Sequence, residues 1–241
     1  MKIKSEELLG HGPINILYPG NRLTENDSGI GSIARIDYAL FKGANLISMH
    51  PHANDEILTY LRSGNIEHRD SEGIKASLHR GNLMLMKAGK RFYHEEKILD
   101  SGEPLEALQI FIRPKTKDMT PQVSFHQLST PYSINKWRLI ASPDRQTKLQ
   151  FTSQTWIYDI RARVGLKLNF PKLKRGSLKY VLFVFNGQVK IDHEILNKKD
   201  SFILEETTAD ISCIVDSDMV LFITDASSKT FKGGMFSGNI R

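Results

Sequence analysis

Tyr60-Leu61-Arg62-Ser63-Gly64-Asn65-Ile66-Glu67-His68 decides the fold class: an apolar run, a glycine turn, then a strand of alternating character. Phe183-Val184-Phe185-Asn186-Gly187-Gln188-Val189-Lys190-Ile191 repeats that pattern in the second half of the chain. An Asn-Gly pair between two such runs is the strongest short signal for a hairpin. Further on, Arg80-Gly81-Asn82-Leu83-Met84 and Lys199-Asp200-Ser201-Phe202-Ile203 correspond again. The repeated order predicts a duplicated β-barrel.

The rest of the chain agrees with this reading. Runs rich in Ile, Leu, Val, Phe and Tyr recur at 33–41, 57–62, 82–86, 107–112, 155–161, 179–185, 210–215 and 219–224, separated by Gly, Asn, Asp and Pro. Long amphipathic helical patterns are missing, which favours an all-β sandwich or barrel over an α/β sheet. The predicted division is a first barrel over 1–120, a connector over 121–150 rich in Pro, Ser, Thr and Lys, and a second barrel over 151–241.

Composition narrows the function classes. The 241 residues are 40% hydrophobic and 25% charged, as in ordinary globular proteins. No apolar run approaches the roughly 20 residues of a membrane helix, and the N-terminus lacks the apolar core of a secretory signal. Cys213 is the single cysteine, which excludes an intramolecular disulfide and a multi-cysteine zinc site. The expected compartment is the cytoplasm, with the nucleus as the alternative.

The net charge of +6 comes entirely from the second half. Arg161, Arg163, Lys167, Lys172, Lys174, Arg175 and Lys179 form a run without an intervening acid. Such a run either attracts phosphates or an acidic protein partner, or simply solvates a strand edge. Direct nucleic-acid binding has no support from an aromatic RNA-binding motif, a zinc finger or a basic helix. Gly29-Ile30-Gly31-Ser32-Ile33-Ala34 has neither the preceding strand nor the following helix of a dinucleotide site.

His50-Pro51-His52 points to chemistry. Strand residues two apart share a face, so the two imidazoles point the same way. In His94-Glu95-Glu96, His94 and Glu96 likewise share a face. Three imidazoles and a carboxylate suit a divalent first-row metal, and a six-coordinate ion would keep two positions open. Zinc accepts the same ligands but prefers four-coordination. One His-x-His pair arises readily by chance; two such pairs beside strands in one half of a chain argue for a site.

The segment His50-Pro51-His52-Ala53-Asn54-Asp55-Glu56-Ile57-Leu58-Thr59-Tyr60, followed by His68-Arg69-Asp70-Ser71 and Gly73, resembles the signature of the pirin family of bicupins. Gly81, Met86, Ala88-Gly89 and His94-x-Glu96 resemble its second signature. The resemblance is close over 50–114 and looser after 150. It implies two cupin barrels of jelly-roll type in tandem, with one metal in the first; the second barrel holds His193 as its one histidine, with His126 in the connector, and is expected to be metal-free. Carried over by position, the metal ligands are His50, His52, His94 and Glu96, and the usual metal is Fe(2+), with Mn, Ni, Cu or Zn as alternatives. Period-two alternation places Glu56 on the His52 face, as a group that would orient a histidine or accept a proton. Arg91 replaces a glycine that pirin-like sequences usually carry. With Lys90 it either adds positive charge at the site mouth or decorates an altered surface turn. Met49 and Tyr93 should face away from the metal into packing, and His68 reads as a surface or hydrogen-bonded strand histidine.

The resemblance implies two functions. One is a metal-dependent quercetin 2,3-dioxygenase that takes a flavonol or related small enol, with Glu96 or Glu56 accepting the substrate's proton. The other is a regulatory protein that binds a transcription factor or metabolic enzyme, with the 161–179 run as its contact surface.

Overall fold

About half of the chain is strand. Some strands, such as Phe92–Leu99, alternate between buried and partly exposed positions, and others, such as Glu56–Ser63 and Ser217–Asp225, are buried along nearly their whole length. The computed structural model describes all residues except 11, 175, 206–209 and 240–241. Among the described residues the helical content is two short 3-10 turns, Ser5–Glu7 and Gly20–Arg22. The chain opens on β1 (Lys2–Ile3) and continues through β2 (Ile14–Tyr18), β3 (Ile33–Phe41), β4 (Asn45–His52), β5 (Glu56–Ser63), β6 (Asn65–Asp70) and β7 (Lys75–Leu78). Next come β8 (Asn82–Lys87), β9 (Phe92–Leu99), β10 (Leu105–Ile112) and β11 (Gln122–Gln127).

One compact unit comprises Leu9–Gly29, Ile33–Pro131 and Lys229–Arg241. Its two sheets run β11-β8-β5-β10-β3-β2 and β4-β9-β6-β7. Ile57, Leu61, Met84, Met86, Phe92, Ile98 and Phe111 form the core of this barrel. Every one of its strand pairs is antiparallel.

The second unit comprises Met1–Leu8, Ile30–Ser32 and Tyr132–Ser228. Its strands are β1 with β12 (Arg138–Ser142), β13 (Leu149–Gln150), β14 (Thr155–Ala162), β15 (Lys167–Leu168), β16 (Leu178–Asn186) and β17 (Gln188–Ile191). They continue with β18 (Glu194–Asn197), β19 (Ser201–Leu204), β20 (Ile211–Cys213) and β21 (Ser217–Asp225). The sheets run β1-β19-β16-β21-β14-β12-β13 and β15-β20-β17-β18. Trp156, Ile160, Leu182, Val184, Leu196 and Leu221 lie in its core.

The two strand orders are the same order. β8-β5-β10-β3-β2 corresponds to β19-β16-β21-β14-β12, and β4-β9-β6-β7 to β15-β20-β17-β18. The edge position that β11 fills beside β8 is filled beside β19 by β1, from the start of the chain. The units are therefore not the contiguous pieces that sequence order suggests. Residues 1–8 pair into the second unit, and the segment from Lys229 onward belongs to the first. The 121–150 stretch is no bare connector: β11 extends the first barrel, β12 and β13 extend the second, and the changeover falls at Pro131–Tyr132.

The two glycine turns also differ from the hairpins expected of them. Gly64 separates β5 from β6 and Gly187 separates β16 from β17, and in each case the flanking strands lie in different sheets. Both glycines are corners at positive φ, +77° and +96°. A Cβ on Gly64 would sit 2.6 Å from the Leu105 Cα, and one on Gly187 would sit 2.5 Å from the Asp216 carbonyl oxygen. Close backbone approach, rather than hairpin geometry, selects glycine here.

Candidate metal centre

The site forms on the inner face of the four-stranded sheet. β9 places His94 and Glu96 inward, two residues apart on a strand whose burial alternates. β4 meets it with a register shift between Ile47 and His50: Ile47 lies opposite Glu96 and His50 opposite His94. Such a bulge re-aims side chains, and here it turns both Ile47 and His50 toward β9. Met49, expected to pack, is instead 44% exposed, because the extra residue is pushed to the outside.

The three imidazoles converge through their Nε2 atoms. His94 Nε2 lies 3.0 Å from His50 Nε2 and 3.1 Å from His52 Nε2. Two ligands about 2.1 Å from one ion and at right angles to each other stand about 3.0 Å apart, whereas a tetrahedral pair stands about 3.4 Å apart. Both spacings from His94 fit neighbouring positions of an octahedral centre.

The outer nitrogens of His50 and His52 are oriented for the same purpose, whereas that of His94 is buried without a hydrogen-bond partner. His50 Nδ1 lies 2.9 Å from the Ser48 carbonyl oxygen, which can only accept, so Nδ1 carries the proton. His52 Nδ1 lies 3.3 Å from Asp55 Oδ2. Both contacts leave Nε2 as a bare lone pair facing inward, as a metal requires. Burial lowers the pKa of His50. It takes His94 down to about 2, with the neighbouring His52, His50 and His68 adding to the effect. Both rings are neutral at physiological pH, the protonation state of a ligand.

Glu96 stands beside this triangle. Its ligand oxygen groups with His94 and His68 rather than with all three converging histidines. Gln109, on β10, donates from Nε2 to Glu96 Oε2 at 2.7 Å. Oε1 is buried with no hydrogen-bond partner. Burial raises the Glu96 pKa to about 7, against the lowering effect of the Gln109 hydrogen bond. An orphaned, desolvated carboxylate oxygen next to converging imidazole nitrogens is well suited to a cation. Together the donor set and its spacing fit a divalent metal.

His68 is a functional candidate that the sequence reading passed over. It is a hydrogen-bonded strand histidine, with Nε2 2.8 Å from Asp70 Oδ2, but it is buried and lies opposite Glu96 across β6 and β9. The available signal was the alternation in Asn65–Asp70, which puts Ile66, His68 and Asp70 on one buried face.

Glu56 is corrected. It belongs to neither group of converging ligands and lines a small cleft with Asn54, Asp55 and Lys87. The alternation argument fails because the chain turns between β4 and β5, with Asn54 at φ +57°. The carboxylate that orients a histidine is its neighbour Asp55, which is 1% exposed. Arg91 is exposed, its guanidinium 5.7 Å from the ring centroid of Tyr93 on the outer face of β9. Lys90 beside it is exposed as well.

Aromatic rings wall one side of the site. Phe236 packs on His52 at 4.8 Å between centroids, and it stacks on Phe111 at 5.4 Å. Arg35 lies 5.8 Å from the Phe111 ring centroid and is paired with Asp37.

Comparison with known proteins agrees with this geometry. The pirin family profile matches residues 33–112, and the profile described as the quercetinase C-terminal cupin domain matches 139–223. A Pasteurella multocida protein named "Putative quercetin 2,3-dioxygenase" is 31% identical over 178 residues, covering 72% of this chain and 74% of its own. The quercetin 2,3-dioxygenase of Escherichia coli K12 is 31% identical over 124 residues, 52% of each chain. The crystal structure of the bacterial pirin YhhW of Escherichia coli in complex with nickel(II) superposes with a TM-score of 0.80 over 93% of this chain and 98% of that one, at 23% identity. On the two barrels, the paired signatures and these matches, the chain belongs to the pirin family.

Proposed function

We propose that this protein is a metal-dependent dioxygenase of quercetin-like flavonols or related enols, with His50, His52, His94 and Glu96 as metal ligands and Fe(2+) as the working ion. The observation that carries the reading is the convergence of three Nε2 atoms, those of His50 and His52 lying 3.0 and 3.1 Å from that of His94, with the orphaned Glu96 oxygen beside them. A bound divalent ion would supply Lewis acidity and a place for a substrate oxygen and O₂ to meet.

The chain's own residues divide the remaining work. Ser48 and Asp55 fix the rings of His50 and His52. Gln109 holds one oxygen of Glu96. With its pKa near 7, Glu96 is matched to accepting a hydroxyl proton from an enol at neutral pH. Phe111 and Phe236 offer an apolar wall to a planar ring and exclude water from the His52 side. Protein loaded anaerobically with ferrous iron and mixed with quercetin in air should consume one O₂ per flavonol. His52→Ala should abolish this consumption. A fully loaded protein that leaves quercetin and its relatives untouched contradicts the catalytic reading.

A regulatory reading rests on the basic run. Arg163 is paired with Asp216, Lys179 with Glu205, and Arg161 lies over the Tyr132 ring. Lys167, Lys172 and Lys174 are exposed, and among the described residues no ion pair engages them. Arg175 lies outside the described residues. Under this reading an acidic protein surface docks on these lysines, and Lys172→Ala with Lys174→Ala weakens capture without changing metal content. Unchanged capture removes it.

A further inference from the structure

The segment that follows β21 returns to the first barrel and is fastened there at several points. Phe231 N donates to the Pro114 carbonyl at 2.8 Å, and Met235 N to that of Ala53 at 2.8 Å. Lys232 pairs with Asp27, and the buried Arg113 pairs with Asp27 and donates from Nε to the Ser237 carbonyl at 3.0 Å. Gly234 is required for the fit, since a Cβ there would sit 2.5 Å from the Asn54 carbonyl oxygen and 2.7 Å from Asp55 Oδ1.

The Asp55 carboxylate faces both the segment and the metal centre. Its Oδ1 accepts from Ser237 N at 2.8 Å and Phe236 N at 3.1 Å. Its Oδ2 faces His52 Nδ1 at 3.3 Å. The Phe236 ring then covers His52 itself. One buried carboxylate therefore orients a metal-ligating imidazole and clamps the backbone of the C-terminal segment.

We propose that Lys229–Asn239 is a strap coupled to the metal centre through Asp55, so that metal loading tightens the strap and strap docking tightens metal binding. The inference rests on His52 being a ligand. A metal at Nε2 confines the His52 proton to Nδ1, where it is donated to Asp55. Without metal, Nδ1 still faces Asp55, but nothing anchors the imidazole at Nε2, so the ring and the Asp55 carboxylate are freer to part from the strap amides. Coupling of this kind is reciprocal and usually changes affinity by roughly 5- to 150-fold.

Limited trypsinolysis of the full chain reads this coupling. Cleavage after Lys232 requires the strap to open, whereas cleavage after Lys172 or Lys174 reports on the other unit. Saturating nickel(II) should slow cleavage after Lys232 about fivefold or more and leave cleavage after Lys172 and Lys174 unchanged. Asp55→Asn should abolish that protection and weaken nickel binding about tenfold or more. Asp27→Asn loosens the same strap from its far side; it should speed cleavage with and without nickel yet keep their ratio. Stoichiometric nickel with no slowing after Lys232 overturns the coupling in the wild-type chain alone, whatever the variants do. Protection undiminished in Asp55→Asn overturns the role of Asp55. A wild-type chain that binds no nickel overturns the metal reading beneath it, a result distinct from either.

Discussion

Gln109 Nε2 donates to Glu96 Oε2 at 2.7 Å, and the other oxygen of that carboxylate, Oε1, is buried without a partner. The donor fixes the carboxylate's orientation and leaves its second oxygen for a cation. Gln109→Leu should weaken divalent-metal affinity roughly 10- to 100-fold, the usual cost of removing an outer hydrogen bond from a ligand. Nickel titration followed by calorimetry measures it, and affinity within twofold of wild type would remove Gln109 from the account.

Metal uptake should release protons in a pattern set by Glu96. Burial raises its pKa to about 7, while His94 is lowered to about 2 and His50 is also lowered, so in the acid range the carboxyl holds the exchangeable proton. At about pH 6 Glu96 should contribute close to one proton per metal bound, a contribution that fades toward none above about pH 8. Affinity accordingly falls as the pH drops below about 7. Titrations in buffers of different ionisation enthalpy give the count. A proton count that does not fall between about pH 6 and pH 8 would contradict this role of Glu96.

Glu56→Gln should leave metal affinity within about twofold of wild type, since Glu56 belongs to neither group of converging ligands. A large loss would place Glu56 at the metal after all. Asp55→Asn is the contrasting substitution one residue earlier.

The sheet corners predict a stability effect far from the chemistry. Gly64→Ala demands a left-handed backbone of a residue with a Cβ, at about 1–2 kcal/mol, and adds a clash with Leu105. A loss of about 2 kcal/mol or more in denaturant unfolding is expected. A loss under about 0.5 kcal/mol would show that the corner can relax.

Much of this architecture was legible in the chain because period-two burial and glycine placement are local. The alternation in Phe92–Leu99 places His94 and Glu96 inward directly. What was illegible depends on breaks in alternation or on distant pairing. The bulge before His50 exposes Met49, and the turn at Asn54 transfers the orienting role from Glu56 to Asp55. His68 looked ordinary because its significance comes from Glu96 across the ladder, a partner that no local pattern names. The exchange of β1 and the C-terminal segment between units is likewise long-range: Lys2 pairs with Phe202, and Ser237 with Asp55.

Metal content of the purified chain is the measurement closest to the central claim. Loaded anaerobically with ferrous iron and then desalted, wild type should retain about one divalent ion per chain, and His52→Ala should retain almost none while keeping its fold by circular dichroism. Absence of stoichiometric metal in wild type, or full retention in His52→Ala, would contradict the assignment of His50, His52, His94 and Glu96 as a metal centre.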